Sequence, residues 1–260
     1  MRRLNLFVKG NVDLRDSLLV SSVGGKLQWN GINEIVRQAF PGHLVRVRHE
    51  TCTRSDALTA TDGTIPEGLT DRALALGPYP LESQFGRKVF ETASDVVVFS
   101  LQPDVFNNLW RHRHDGYLFY PHGWPDWPAG ERQWLRECFE DVGYLDAGTS
   151  MKHLGRICQE IRASSDAHIL IYNVPAAIPG EQVHCYSGLG EILSTRIRRF
   201  NLALIELAQE LGISVVDVDA LVSCAGADRV RVGPVHLTGE GQRLVAQEVV
   251  RILQDLGCFD

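Results

Sequence analysis

Val96-Val97-Val98-Phe99 and Ile169-Leu170-Ile171-Tyr172 are apolar on both alternating faces. A strand of that kind has to be covered on both sides, which is the situation of a central strand in a parallel sheet. Three more β-rich runs flank these two, giving five in all: residues 4–8, 44–47, 95–101, 168–174 and 213–218. Helical spacing fills the intervals. Trp29, Ile32, Ile35, Val36 and Phe40 mark one helix, and Met151, Leu154, Ile157 and Ile161 another. Ile197, Phe200, Leu204, Leu207 and Leu211 mark a third. Leu244, Val245, Val249, Ile252, Leu253 and Leu256 mark a closing helix after Thr238. Strands alternating with helices predict an α/β fold with a parallel sheet between two helical layers.

The chain has 260 residues, 44% of them hydrophobic, enough for a full core, and reads as a single domain over 1–260. With 26 basic against 32 acidic residues and no long Lys/Arg run, nucleic acid is not the expected partner. No apolar stretch reaches the roughly 18 residues that span a membrane, and Met1-Arg2-Arg3 precedes too short an apolar run for a signal peptide. Six cysteines (52, 138, 158, 185, 224, 258) lie far apart with no Cys-x-x-Cys pair, as free thiols of a reducing cytoplasm would. No heptad or isolated apolar helix face marks an oligomer.

The segment Val232-Gly233-Pro234-Val235-His236-Leu237-Thr238-Gly239-Glu240-Gly241 sets a histidine on a short loop just ahead of the closing helix. An imidazole held in that way suits general base chemistry near neutral pH. At the other end, strand one runs into Lys9-Gly10-Asn11-Val12-Asp13-Leu14-Arg15-Asp16-Ser17-Leu18.

These two blocks resemble the SGNH/GDSL hydrolases. The last block of that family is Asp-x-x-His followed by a hydroxyl residue and a helix, and here Gly233 stands at the Asp. The family's Gly-Asp-Ser-Leu nucleophile turn ends strand one, and Asp16-Ser17-Leu18 matches three of its four letters. The resemblance implies a three-layer α/β/α sandwich with a five-stranded parallel sheet in flavodoxin-like order. It also implies cofactor-free hydrolysis or transfer of acyl groups on a small-molecule ester.

In that reading Ser17 attacks and His236 acts as base and then acid. The first turn, with Asn11 and Asp13, and Arg54 or Gln102 then hold the oxyanion or substrate, with Asp104 beside them. A second register sets Gly10-Asn11-Val12 against Gly-Asp-Ser, which puts Val12 at the nucleophile position and removes the serine chemistry. Residues 48–56 contain no glycine after strand two, and Ser100-Leu101-Gln102-Pro103-Asp104 replaces the family's Gly-x-Asn-Asp. Arg54, Asp56 and Asp104 also fit a surface salt-bridge set. With so many supporting groups changed, a re-purposed relative that binds a small ligand in the same cleft stands beside the hydrolase.

Residues 105–150 exceed a simple crossover and carry Trp110, Trp124, Trp127 and Trp134 with Tyr117, Phe119 and Tyr120. Such an excursion either shapes a substrate pocket over the sheet's carboxyl edge or ties down a long loop as a satellite cluster. His112-x-His114 with Asp115 and His122, joined by His49-Glu50 if the loop folds back, is a minor metal-binding alternative; a His-x-His on a strand would point both rings to one face. The expected ligand set contains no metal.

Overall fold

The computed structural model describes residues 2–182 and 190–260. Five parallel strands form the central sheet: β1 (Arg2–Lys9), β2 (His43–Glu50), β3 (Val96–Ser100), β4 (His168–Tyr172) and β5 (Ser214–Val216). Their spatial order is β2-β1-β3-β4-β5, the flavodoxin-like order. The register sets Lys9 opposite Glu50, Val8 opposite Val98, and Val98 opposite Leu170.

Alternation along the strands divides the core in two. Leu6, Val8, Val96, Val98 and Leu170 face a cluster closed by α1 (Val12–Leu18), α2 (Ile32–Ala39), α8 (Val218–Ala225) and α9 (Gly239–Asp255). Phe7, Val97, Phe99, Ile169 and Ile171 face the opposite cluster. There they meet α3 (Ser55–Ala60), α4 (Gln102–Phe106), α6 (Ala147–Ser164) and α7 (Leu193–Leu211). Each fully buried aliphatic or aromatic side chain contributes about 1.5–3 kcal/mol, so the apolar runs Val96–Phe99 of β3 and Ile169–Tyr172 of β4 carry much of the driving force.

Trp29 lies outside the first long helix. It ends a short hairpin (Ser21–Val23 with Lys26–Trp29), and its indole donates to the Ser17 carbonyl at 2.9 Å. α2 starts only after Gly31, whose φ of +87° turns the chain where a Cβ would strike the Leu19 carbonyl.

The excursion is a satellite lobe. Trp110–His112 pairs antiparallel with Leu118–Phe119 and with Phe139–Asp141, and α5 (Ala129–Cys138) packs on them. Leu69, Leu76, Phe85, Phe119, Trp127, Leu135 and Phe139 make its own small core, so part of it comes from residues 65–85, which precede β3. Cys52, Cys138, Cys158, Cys224 and Cys258 are free thiols, and Cys185 lies outside the described residues. No helix among the described residues is long and apolar enough to cross a membrane.

Candidate functional site

The carboxyl edge of the sheet is where this fold class gathers ligands. β1 ends at Lys9, Gly10 and Asn11 make the turn, and α1 begins at Val12. Gly10 is required for closeness: a Cβ there would collide with Leu14 and press on Ser100. Val12 heads the helix, and Ser17 is its next-to-last residue.

Ser17 is fully buried. Its Oγ donates to the Asp13 carbonyl at 2.6 Å, four residues back, and lies 3.3 Å from the Tyr172 hydroxyl. This is the i−4 back-bond of a helical serine, here in the last turn of α1. His236 is exposed on the two-residue strand His236–Leu237, which pairs with Arg231–Val232, and its ring makes no hydrogen bond among the described residues. The structure thus does not bring Ser17 and His236 together as a dyad. Gly233, at the family's Asp, has φ +64° in the tight connection between those two short strands, a conformation suited to glycine.

Asp13 and Gln102 do converge. The Asp13 carboxylate (Oδ2) accepts from Ser100 Oγ, which in turn accepts from the Gln102 N–H at 2.9 Å. The Gln102 side-chain amide donates to the Val235 carbonyl at 3.1 Å. One chain of hydrogen bonds therefore links the β1 turn, the β3 exit and the loop bearing His236. Burial pushes the Asp13 carboxyl up to about 6, against the downward pull of Ser100. Asp13 Oδ1 and Asn11 Oδ1, on either side of Val12, are out of contact with solvent and have no partner among the described residues.

Arg54 is internal. Its guanidinium forms a bidentate pair with Asp56 at 2.8 and 2.6 Å and donates to the Gly143 carbonyl at 2.8 Å. Its side chain is 3% exposed, so it neither reaches an oxyanion nor belongs to a surface ion-pair set. Asp104 is also internal, accepting from the Ser55 N–H at 2.7 Å and from the hydroxyls of Ser55 and Ser150. Burial raises its pKa, and it fastens α3 to α6. Both residues brace the edge from below.

His49, Ser100, Tyr172 and Arg231 complete the site and were not among the sequence candidates for catalysis. His49 Nε2 donates to the Gly10 carbonyl at 3.0 Å, and burial lowers its pKa against the upward pull of that hydrogen bond. Arg231, 4% exposed, donates to the carbonyls of Pro175 (2.8 Å), Ala177 (2.6 Å) and Pro234. Burial lowers its pKa to about 10. Between Asp13, Gln102, Tyr172, Arg231 and Val235 lies a cavity of about 20 Å³, room for one water molecule.

The histidine cluster disperses. The strand ends at His112, so the His112 and His114 rings share no strand face. His112 stacks on Tyr117 with centroids 4.8 Å apart, His114 is exposed, and His122 packs against Tyr79. Among the described residues no three His, Cys, Asp or Glu side chains gather as metal ligands.

No family model matches this sequence, and no curated protein matches it. Solved structures do match. One is Axe2, an acetylxylan esterase from Geobacillus stearothermophilus: 11% identity, 96% of this chain and 92% of that chain, TM-score 0.55. Another is a member of the lipolytic G-D-S-L family from Veillonella parvula: 14% identity, 96% and 98% coverage, TM-score 0.50.

The chain has the SGNH/GDSL hydrolase fold.

An alpha/beta hydrolase enzyme from the metagenome of Lake Arreo adds a match at 12% identity, 99% and 96% coverage, and TM-score 0.54. In this chain the turn after β1 and the start of α1 read Gly10-Asn11-Val12-Asp13.

Proposed function

We propose that this SGNH-fold protein binds a small molecule that donates hydrogen bonds at the carboxyl edge of its sheet, over the one-water cavity beside Asp13, without serine-based ester chemistry. The observation that carries this is Val12 at the head of α1, with Ser17 buried in the helix's last turn and bonded to the Asp13 carbonyl. A hydroxyl held so cannot meet an ester carbonyl without rearrangement of α1, and among the described residues no imidazole is hydrogen-bonded to it. Asn11 Oδ1 and Asp13 Oδ1 supply the binding side of the argument. Buried acceptors left unpaired cost free energy, and a donor from a ligand or an ordered water offsets that cost. Open α/β sheets gather ligands at the carboxyl ends of their strands, which places the ligand beside these two acceptors.

The competing hydrolase or acyltransferase, with Ser17 attacking and His236 as base, has the likeness of fold in its favour. A fluorophosphonate probe followed by peptide mass spectrometry separates the two. The binding reading expects no adduct on any serine and no turnover of p-nitrophenyl acetate above buffer. In a thermal-shift panel of hydroxylated and amine-bearing compounds, it expects stabilisation that weakens in Asn11→Ala. An adduct on Ser17 that disappears in His236→Ala would overturn it.

A further inference from the structure

Away from the cleft, the edge strand β2 turns a row of charged side chains outward. Strand alternation sends Val45 and Val47 toward the core and Arg46 and Arg48 to the other face. The parallel register sets Arg46 opposite Asn5 and Arg48 opposite Phe7, with Arg3 two positions before Asn5 on β1. Three arginines thus share one corner of the sheet in a chain whose net charge is −6.

The corner is concave. A hollow of about 330 Å³ is lined by Arg46, Arg48, Asn5, Thr92 and Ser94 among others. Thr92–Ser94 lie just ahead of β3, so the hollow opens toward the amino end of that strand, and the cleft lies at the carboxyl end.

The donors there are only partly used. Arg46 makes no hydrogen bond or ion pair among the described residues. Arg48 is held over the Phe7 ring at 5.4 Å and donates to Thr92 Oγ1 at 3.3 Å. Its contact with Glu50 is loose, at 3.8 Å, and Glu50 is shared with Lys9 and Lys88. The nearby Asp95 carboxylate is taken up by the backbone N–H and side-chain amide of Asn5. Guanidinium groups two residues apart on a strand stand about 7 Å apart at their Cα atoms, and their forks match tetrahedral oxyanions.

We infer that the Arg46–Arg48 hollow is a binding site for a phosphoryl group, free or as the head of a small phosphomonoester. The ring beneath Arg48 pre-orients one fork, Arg46 supplies the second, and the Thr92 hydroxyl, which accepts from Arg48, keeps its own proton to donate at the rim. This site does not rest on the reading of the cleft.

Calorimetric titration with inorganic phosphate and with glycerol 3-phosphate, at constant ionic strength balanced by sodium chloride, tests it. The wild type is expected to bind at least one of the two saturably. The double variant Arg46→Ala/Arg48→Ala is expected to bind at least tenfold more weakly, with an unchanged circular dichroism spectrum. Asn11→Ala, altered in the cleft, is expected to bind as the wild type does. Binding of inorganic phosphate defines a free-anion site, and binding of glycerol 3-phosphate alone defines a monoester site. Equal binding by the double variant overturns the proposal. So does the absence of saturable binding by the wild type, which leaves the arginines as charges that keep an edge strand from pairing with another chain.

Discussion

Replacing Asp13 by Asn tests whether the carboxyl beside Val12 is as uncomfortable as its surroundings imply. Its pKa rises from the ordinary 3.8 to about 6 because burial disfavours the charged form. The folded state then binds a proton more tightly than the unfolded chain. Stability from this group is fully present below pH 3.8 and is lost as pH climbs toward 6. A rise of roughly two units, at about 1.4 kcal/mol each, makes the ionised carboxylate a liability of about 3 kcal/mol above pH 7. Asparagine can still accept from Ser100 Oγ and never ionises. Urea unfolding of both proteins between pH 4 and pH 8 isolates the effect, because other titrating groups cancel in the difference. The variant should gain on the wild type by up to about 3 kcal/mol across that range, mostly between pH 4 and 6. Any fixed cost of placing an NH2 at the unpaired oxygen displaces the difference equally at every pH. A difference that stays level with pH would refute the reasoning.

Three further outcomes follow from the same geometry. Arg231→Met frees three partly buried carbonyls and should cost roughly 2–4 kcal/mol in chemical denaturation. Hydrogen exchange should then accelerate over residues 233–237, because the Pro234 carbonyl loses its anchor. Gly233→Ala forces a Cβ into the left-handed region, and calorimetry should show a loss of about 1 kcal/mol, or about 2–4 °C in Tm. Asp104→Ala removes the acceptor shared by the Ser55 N–H and two hydroxyls, and should destabilise by about 3 kcal/mol in urea. Asp104→Asn should recover part of that.

The sheet was legible because burial on both faces leaves an unmistakable mark: Val96–Phe99 and Ile169–Tyr172 admit no polar position. The closing helix was equally plain from its apolar stripe. Trp29 misled because a large apolar residue at helical spacing is also what a hairpin buries against a helix, and only the Gly31 turn separates the two. At the β1 turn two registers competed, and the choice between them depended on one boundary. The helix starts at Val12, directly after the Gly10-Asn11 turn, which a triplet match at residues 16–18 could not reveal. Arg54 and Asp104 looked like surface charges since their partners come from loops and helices distant in sequence, Gly143 and Ser150 among them. Arg231 left no signal, because its partners are backbone carbonyls, which every residue possesses.

The separation into a sheet core and an aromatic lobe has an optical consequence. Four of the five tryptophans, 110, 124, 127 and 134, belong to the lobe, while Trp29 sits under α1 against the sheet core with the Arg243 guanidinium 4.8 Å from its ring. Intrinsic fluorescence of the whole protein is therefore dominated by the smaller of the two assemblies. A Trp29→Phe protein reports on the lobe alone, and one that keeps only Trp29 reports on the sheet. Their denaturation midpoints, set side by side, measure whether the lobe melts with the sandwich or ahead of it.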